Sequence, residues 1–132
     1  MKIKSIRHRK APIFHTLLPG KEVFNSVGLM GEANVFNLVS RQVPGIQAVH
    51  LTHGGCGFYH AVVQIKKVYE GTQRNAILAT LSAFPSLKQV IVVDDDVNPY
   101  DPEDVEWAMC TRFSPDRDII LAPKAFGHEL NP

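Results

Sequence analysis

Three consecutive carboxylates, Asp94, Asp95 and Asp96, directly follow the apolar run "KQVIVV" (88–93). In open α/β sheets, ligands sit just outside the carboxyl ends of strands, so these acids stand where chemistry is commonly done. Carboxylate oxygens suit a hard cation such as magnesium, and Asp94 and Asp96 could converge on one side. Strand alternation sends Asp95 the other way, so the three need not share a site. A structural use competes with a metal site. Asp101 is placed to cap a helix, Pro102 stands at its first position, and Glu103 and Asp104 fall in the first turn, where acids suit the helix dipole. Arg112 lies on the same helix and can pair with an aspartate at the strand end. Nothing in the run fixes a coordination sphere.

A second group lies in "HLTHGGCGFYH". His50, His53, Cys56 and His60 are zinc ligands by type, but H-x-x-H-x-x-C is not a standard zinc spacing. If 45–53 is a strand, His50 and His53 point to opposite faces. Cys56 could act as a nucleophile beside His53 or His60, which would require a positioned base. "GGCG" (54–57) is a weak phosphate loop, because a strand rather than a helix N-terminus follows it. Its glycines suit a tight turn or a close backbone approach. Trp107 shares a helix with Val105, Ala108 and Met109 and reads as a core or interface anchor.

The elements that must hold these residues follow from periodicity. Residues 1–20 are strand-like pieces broken by Pro12 and Pro19-Gly20. Residues 31–45 read as a helix with Val35, Phe36, Val39 and Val43 on one face, ended by Pro44-Gly45. Strands are expected at 45–53 and 58–67, around the glycine turn, as a hairpin. A helix over 70–84 should bury Ile77, Leu78, Leu81 and Phe84. The run 88–93 should be a strand covered on both faces. A helix over 102–113 and a strand over 117–122 complete the order. The alternation predicts an α/β domain with a mixed sheet flanked by helices, spanning 21–132, with 1–20 as a strand-like N-terminal extension.

Composition bounds the function. The chain has 132 residues, enough for one domain that folds without a disulfide or metal. Apolar residues are 45% and charged residues 20%, which argues against disorder. The net charge of +1 gives little footprint for nucleic acid. Cys110 falls inside a helix and reads as a small buried apolar residue. Two reduced thiols fit a cytoplasmic protein. No apolar run is long enough for a membrane span, and the N-terminus has no signal-peptide core.

The stretch "VIVVDDDVNPYDPEDVEWAMCTRFSPDRDIIL" closely resembles the C-terminal domain of the UbiD family of carboxy-lyases. The matching pattern is an apolar strand, the acidic run Asp94 to Asp96, then Asp101, Asp104 to Ala108, Thr111-Arg112, and Pro115 with Asp118. "IRHRKAPIFHTLLPG" is similar to the segment leaving the family's central split barrel. "FYHAVVQIKK" and "EGTQRNAILATL" are similar to the strand and helix before the acidic strand.

The resemblance implies decarboxylation of aromatic or α,β-unsaturated acids with prenylated FMN and a divalent metal. It also implies that the catalytic glutamate–arginine–glutamate set and the metal and phosphate ligands lie upstream, in a flavin-binding half. No position here matches them, so the chain is expected to bind no cofactor alone and to have no catalytic residue of its own. By resemblance it supplies subunit contacts and a pocket wall at Pro85-Ser86 and at Gly127, His128 and Leu130. Ser82 stands near where a basic residue is sometimes found. The expected partners are a second copy, as a dimer or higher oligomer, and a flavin-binding domain or subunit. The chain would then be a fragment, a truncated homologue or a separate subunit. Two other readings stay open: a non-catalytic assembly or regulatory module, and a small metal-dependent hydrolase.

Overall fold

The computed structural model describes residues 2–16, 27–125 and 127. Helix α1 spans Gly28–Ser40, strand β1 Ile46–Leu51 and strand β2 His60–Ile65. Helix α2 spans Thr72–Ala83, strand β3 Gln89–Asp94 and helix α3 Pro102–Arg112. The sheet order is β1-β2-β3. β1 pairs antiparallel with β2 as a hairpin, with a register shift between Ile46 and Ala48. β2 pairs parallel with β3, from His60 opposite Gln89 to Ile65 opposite Asp94. A parallel pair requires a crossover, and α2 supplies it. The sheet is therefore mixed and the fold is α/β.

Alternation along the strands sorts the core into two faces. Val49, Val63 and Ile65 pack with Val35, Val39 and Val43 and with Ala76 and Ala79 of α2, joined by half-buried Val90 and Val92. Leu51, Ala61 and Leu87 continue this side toward Leu81 and Phe84. Val62 and Val93, with half-buried Ile91, face Val97 and the α3 residues Val105 and Ala108. The molecule thus has three layers: α1 and α2, the sheet, and α3. Both faces of β3 are covered, but Val90, Ile91 and Val92 remain half-buried because β3 is an edge strand among the described residues.

Several expectations are corrected. The buried positions of α2 are Thr72, Ala76, Ala79 and Thr80, whereas Ile77 and Leu81 are half-buried and Leu78 is 50% exposed. Small side chains let the helix approach the sheet closely, so bulk does not mark the buried stripe. Residues 117–122 form no strand. Arg74 of α2 donates to the Arg117 carbonyl at 2.7 Å, and Asp118 accepts from the Ser114 amide at 2.8 Å, so turns hold this segment rather than the β3 edge. Cys110 is exposed, not buried: it lies two positions past Ala108, on the outward side of α3. Trp107 is 55% exposed and is no part of the core. Residues 2–16 join no ladder among the described residues. Pro19-Gly20, Phe126, His128 and Leu130 lie outside the described residues.

Two local devices fix the frame. Gly45 adopts φ +89°, its carbonyl accepts from the Lys66 amide at 2.8 Å, and a Cβ there would collide with the Lys66 carbonyl. Asp101 caps α3, with its carboxylate accepting from the Glu103 amide at 3.0 Å and Pro102 at the first turn. Urea denaturation should show Gly45→Ala losing about 1–3 kcal/mol or more, because left-handed backbone and collision act together. Asp101→Ala should lose about 0.5–2 kcal/mol, the usual effect of removing a cap.

Candidate functional site

The acidic corner is built at the carboxyl end of β3. Arg112 holds Asp96 through two parallel contacts of 2.7 Å and reaches Asp94 at 3.5 Å. This fork matches guanidinium to carboxylate geometry. The bond from Arg112 holds the Asp96 carboxyl below the usual carboxylate range. Arg112 also lies over the Trp107 ring, 5.3 Å from its centroid. Asp95 is exposed, and its side chain joins neither contact. Its backbone carbonyl and that of Val97 accept from the Gln64 side chain at 3.3 and 2.9 Å, which ties the turn to β2. Asp104 accepts from the Asn98 amide at 2.6 Å. The corner's acids are thus used in capping, turn closure and pairing with one arginine. Asp94, the last residue of β3, and Asp96, in the turn after it, do share a side, but a cation of the protein sits between them.

The histidine and cysteine group does not converge either. His50 lies within β1, and its Nδ1 donates to Oε1 of Glu32 at 2.7 Å. The same oxygen accepts from the Leu51 amide at 2.9 Å, so Glu32 caps the open edge of β1. Tyr100 packs on the His50 ring at 4.9 Å between centroids. Burial and then the Glu32 charge push the Tyr100 hydroxyl above its ordinary value. Leu29, Ala33, Phe36, Asn37, Gln47 and Val49 complete a shallow groove of about 320 Å³ along this edge. The Glu32–His50–Tyr100 contact was not foreseen: its members are far apart in sequence, and no motif marks them.

Cys56 sits in the turn with φ +55°, and His53 is exposed. Thr52 Oγ1 accepts from the Gly55 amide at 3.0 Å and lies 3.0 Å from His60 Nδ1. A Cβ on Gly55 would lie 2.6 Å from the His60 Cβ, so glycine permits the close approach of turn and strand. Among the described residues, no three His, Cys, Asp or Glu side chains are arranged to hold a metal ion.

The other end of the sheet carries the positions expected as a pocket wall. Pro85 and Ser86 form the turn between α2 and β3, Pro85 exposed and Ser86 half-buried. Phe58 stacks on Phe84 at 6.0 Å, and Lys88 lies over Tyr59 at 5.3 Å, which gives this turn an aromatic border. Gly127 is half-buried.

Burial, followed by the charge of His50, pushes the His60 imidazole below its ordinary value. Its Nε2 is buried and has no hydrogen-bond partner among the described residues. The folded state therefore takes up this proton less readily than the unfolded state. Stability is full above the ordinary value near 6.5, falls as pH drops toward the folded value, and levels below it. Urea denaturation between about pH 5 and 7.5 should show this loss, and His60→Gln should reduce it.

The family model for the 3-octaprenyl-4-hydroxybenzoate carboxy-lyase C-terminal domain matches residues 25–132. A protein of the cooM 5′ region of Rhodospirillum rubrum is 57% identical over 132 residues, all of this chain and 28% of that protein. The anhydromevalonate phosphate decarboxylase of Methanocaldococcus jannaschii is 46% identical over 133 residues, all of this chain and 32% of the enzyme. The UbiD-class enzyme HmfF from Pelotomaculum thermopropionicum, solved with FMN, superposes with a TM-score of 0.87 at 41% identity, over 95% of this chain and 28% of HmfF. An evolved dimeric form of HmfF was solved with prFMN. The chain thus spans about a third of the length of the curated relatives it matches. The match covers the strand, the acidic corner and the capped helix of this chain, and the chain belongs to the UbiD family of carboxy-lyases through its C-terminal domain.

Proposed function

We propose that this chain is the subunit-contact and pocket-wall part of a UbiD-type decarboxylase acting on an aromatic or α,β-unsaturated carboxylic acid. Residues 1–20 lead in from a flavin-binding half, and residues 21–132 form the α/β domain. The observation that carries this reading is the match of the whole chain to about a third of decarboxylases that are far longer. The use made of the polar groups supports it. Asp94, Asp96, Asp101, Asp104 and Asp118 all serve capping, turn closure or pairing. In the family, prenylated FMN supplies the electron sink for decarboxylation. Among the described residues no three His, Cys, Asp or Glu side chains gather to hold a metal, and no residue here is assigned to the metal or to the flavin phosphate.

This chain's own contribution is shape. The Pro85-Ser86 turn, bordered by Phe58 and Phe84, would close one side of the substrate space and exclude water from it. Gly127, His128 and Leu130 are proposed for the same wall. Positioning and proton transfer need groups in place, and those groups are assigned to the flavin-binding half. A metal-dependent hydrolase would need Asp94 and Asp96 free of Arg112, which instead bridges them. No described helix is long and apolar enough to cross a membrane.

The purified chain, incubated with prenylated FMN and then followed by absorbance and CO₂ release, should bind no flavin and turn over no acid. Stoichiometric flavin binding, or repeated turnover by this chain alone, would contradict the assignment of catalysis to another half.

A further inference from the structure

The turn between β1 and β2 is closed through side chains as well as backbone. The Gly55 amide donates to Thr52 Oγ1 at 3.0 Å, and the same hydroxyl oxygen lies 3.0 Å from His60 Nδ1. Among the described residues the Thr52 hydroxyl proton has one acceptor in reach, His60 Nδ1. The proton of the neutral ring therefore lies on Nε2, a buried donor with no partner among the described residues. Gly55 backs directly on His60, since a Cβ on Gly55 would lie 2.6 Å from the His60 Cβ. The turn holds Cys56 half-buried at φ +55°, in the left-handed region that residues other than glycine avoid. His50 on β1 is the ionisable neighbour whose charge reaches the His60 ring, and Glu32 of α1 bonds His50 instead. His53, Cys56 and Tyr59 lie in the turn itself, Lys88 precedes β3, and the β3 residue opposite His60 is the uncharged Gln89. No carboxylate pairs with His60 among the described residues. A second ring proton, on Nδ1, would leave Thr52 Oγ1 facing two N–H donors and its own proton without an acceptor. The added charge would sit where burial disfavours it. Water relieves both, and the ring reaches water only if the turn moves off it.

We propose that the turn from Thr52 to Tyr59 is a latch that opens when His60 takes up a proton. The closed turn disfavours the second proton and the open turn does not, so the latch is shut above about pH 6.5 and loosens as pH falls below it. Opening releases the Gly55 amide from Thr52 and Cys56 from its left-handed backbone, and it brings the Cys56 thiol to water. Phe58 belongs to the same turn and stacks on Phe84 at 6.0 Å, so acid also slackens the aromatic border of the Pro85-Ser86 turn. That consequence rests on the pocket-wall reading above; the latch itself does not. The β1–β2 ladder beyond the turn stays paired, because its core residues Ala61, Val62 and Val63 are buried and carry no titrating group.

Maleimide labelling of the full chain, with both thiols quantified by peptide mapping, tests this. Exposed Cys110 is the internal reference for reagent reactivity at each pH. The ratio of Cys56 to Cys110 labelling should rise about three- to tenfold from about pH 7.5 to about pH 5.5, about tenfold being the limit for an open-state imidazole of ordinary value near 6.5. His60→Gln should hold the ratio flat. Thr52→Val should raise it already at about pH 7.5, because the Gly55 amide loses its acceptor. Circular dichroism should show both variants folded, and the Val62 and Val63 amides of the wild-type chain should stay protected from hydrogen exchange at every pH. A flat ratio in the wild-type chain would overturn the latch. A rise that survives in His60→Gln would overturn the assignment to His60, and a Thr52→Val ratio equal to the wild type would overturn the Thr52 closure. A rise that comes with lost protection in β2 is unfolding and would overturn the latch as well. None of these outcomes touches the pocket-wall reading, which fails instead if the chain does not complement a flavin-binding half.

Discussion

Strand β2 is the element on which the rest depends. It is hydrogen bonded to β1 on one side and β3 on the other, and Ala61, Val62, Val63 and Ile65 are buried. Such a strand cannot form before its neighbours, because its backbone groups would be left without partners. It also needs cover on both faces, which draws α1 and α2 to one side and α3 to the other. The hairpin to β1 is local, whereas the parallel pairing to β3 waits for the α2 crossover. Gln64, half-buried near the carboxyl end of β2, carries this order outward. Its amide holds the carbonyls of Asp95 and Val97, so the central strand positions the acidic corner directly.

That dependence explains how the acids at the carboxyl end of a strand come to serve the fold. A turn leaving a buried strand has backbone groups to satisfy, and the helix that follows has unpaired amides. Asp101 and Asp104 meet those needs, and Arg112 returns from the far end of α3 to hold Asp96. Trp107 lies beneath the guanidinium and limits where it can go. The corner is therefore held by charge at the surface, with its apolar support in Val97, Val105 and Ala108.

Much of this was legible from local chemistry. Val35 and Val39 of α1 are fully buried, as the helical period requires, and Val43 is buried in the turn after the helix, which ends at Ser40 rather than at Pro44-Gly45. Glycine at the 54–57 turn marked the hairpin, and Asp101-Pro102 marked the start of α3. Failures came where long-range contacts decide. Ala76, Ala79 and Thr80 are buried in place of Leu78 because closeness of helix and sheet favours small residues. Residues 117–122 have strand-like composition, yet Arg74 holds the backbone at Arg117 beside α2. Glu32 at the β1 edge pairs with His50 across 18 positions, and no spacing rule foretells it. The family resemblance rested on the pattern from the apolar strand to Asp118, which the matched domain contains.

We propose that this chain completes a catalytic half that lies elsewhere. The direct measurement is complementation of a UbiD decarboxylase deprived of its own C-terminal domain and loaded with prenylated FMN. CO₂ release would be followed as this chain is titrated in. The account predicts that turnover rises from background and saturates near one chain per flavin-binding half. A folded, flavin-loaded half that binds this chain but stays inactive, or that does not bind it at all, would contradict the claim.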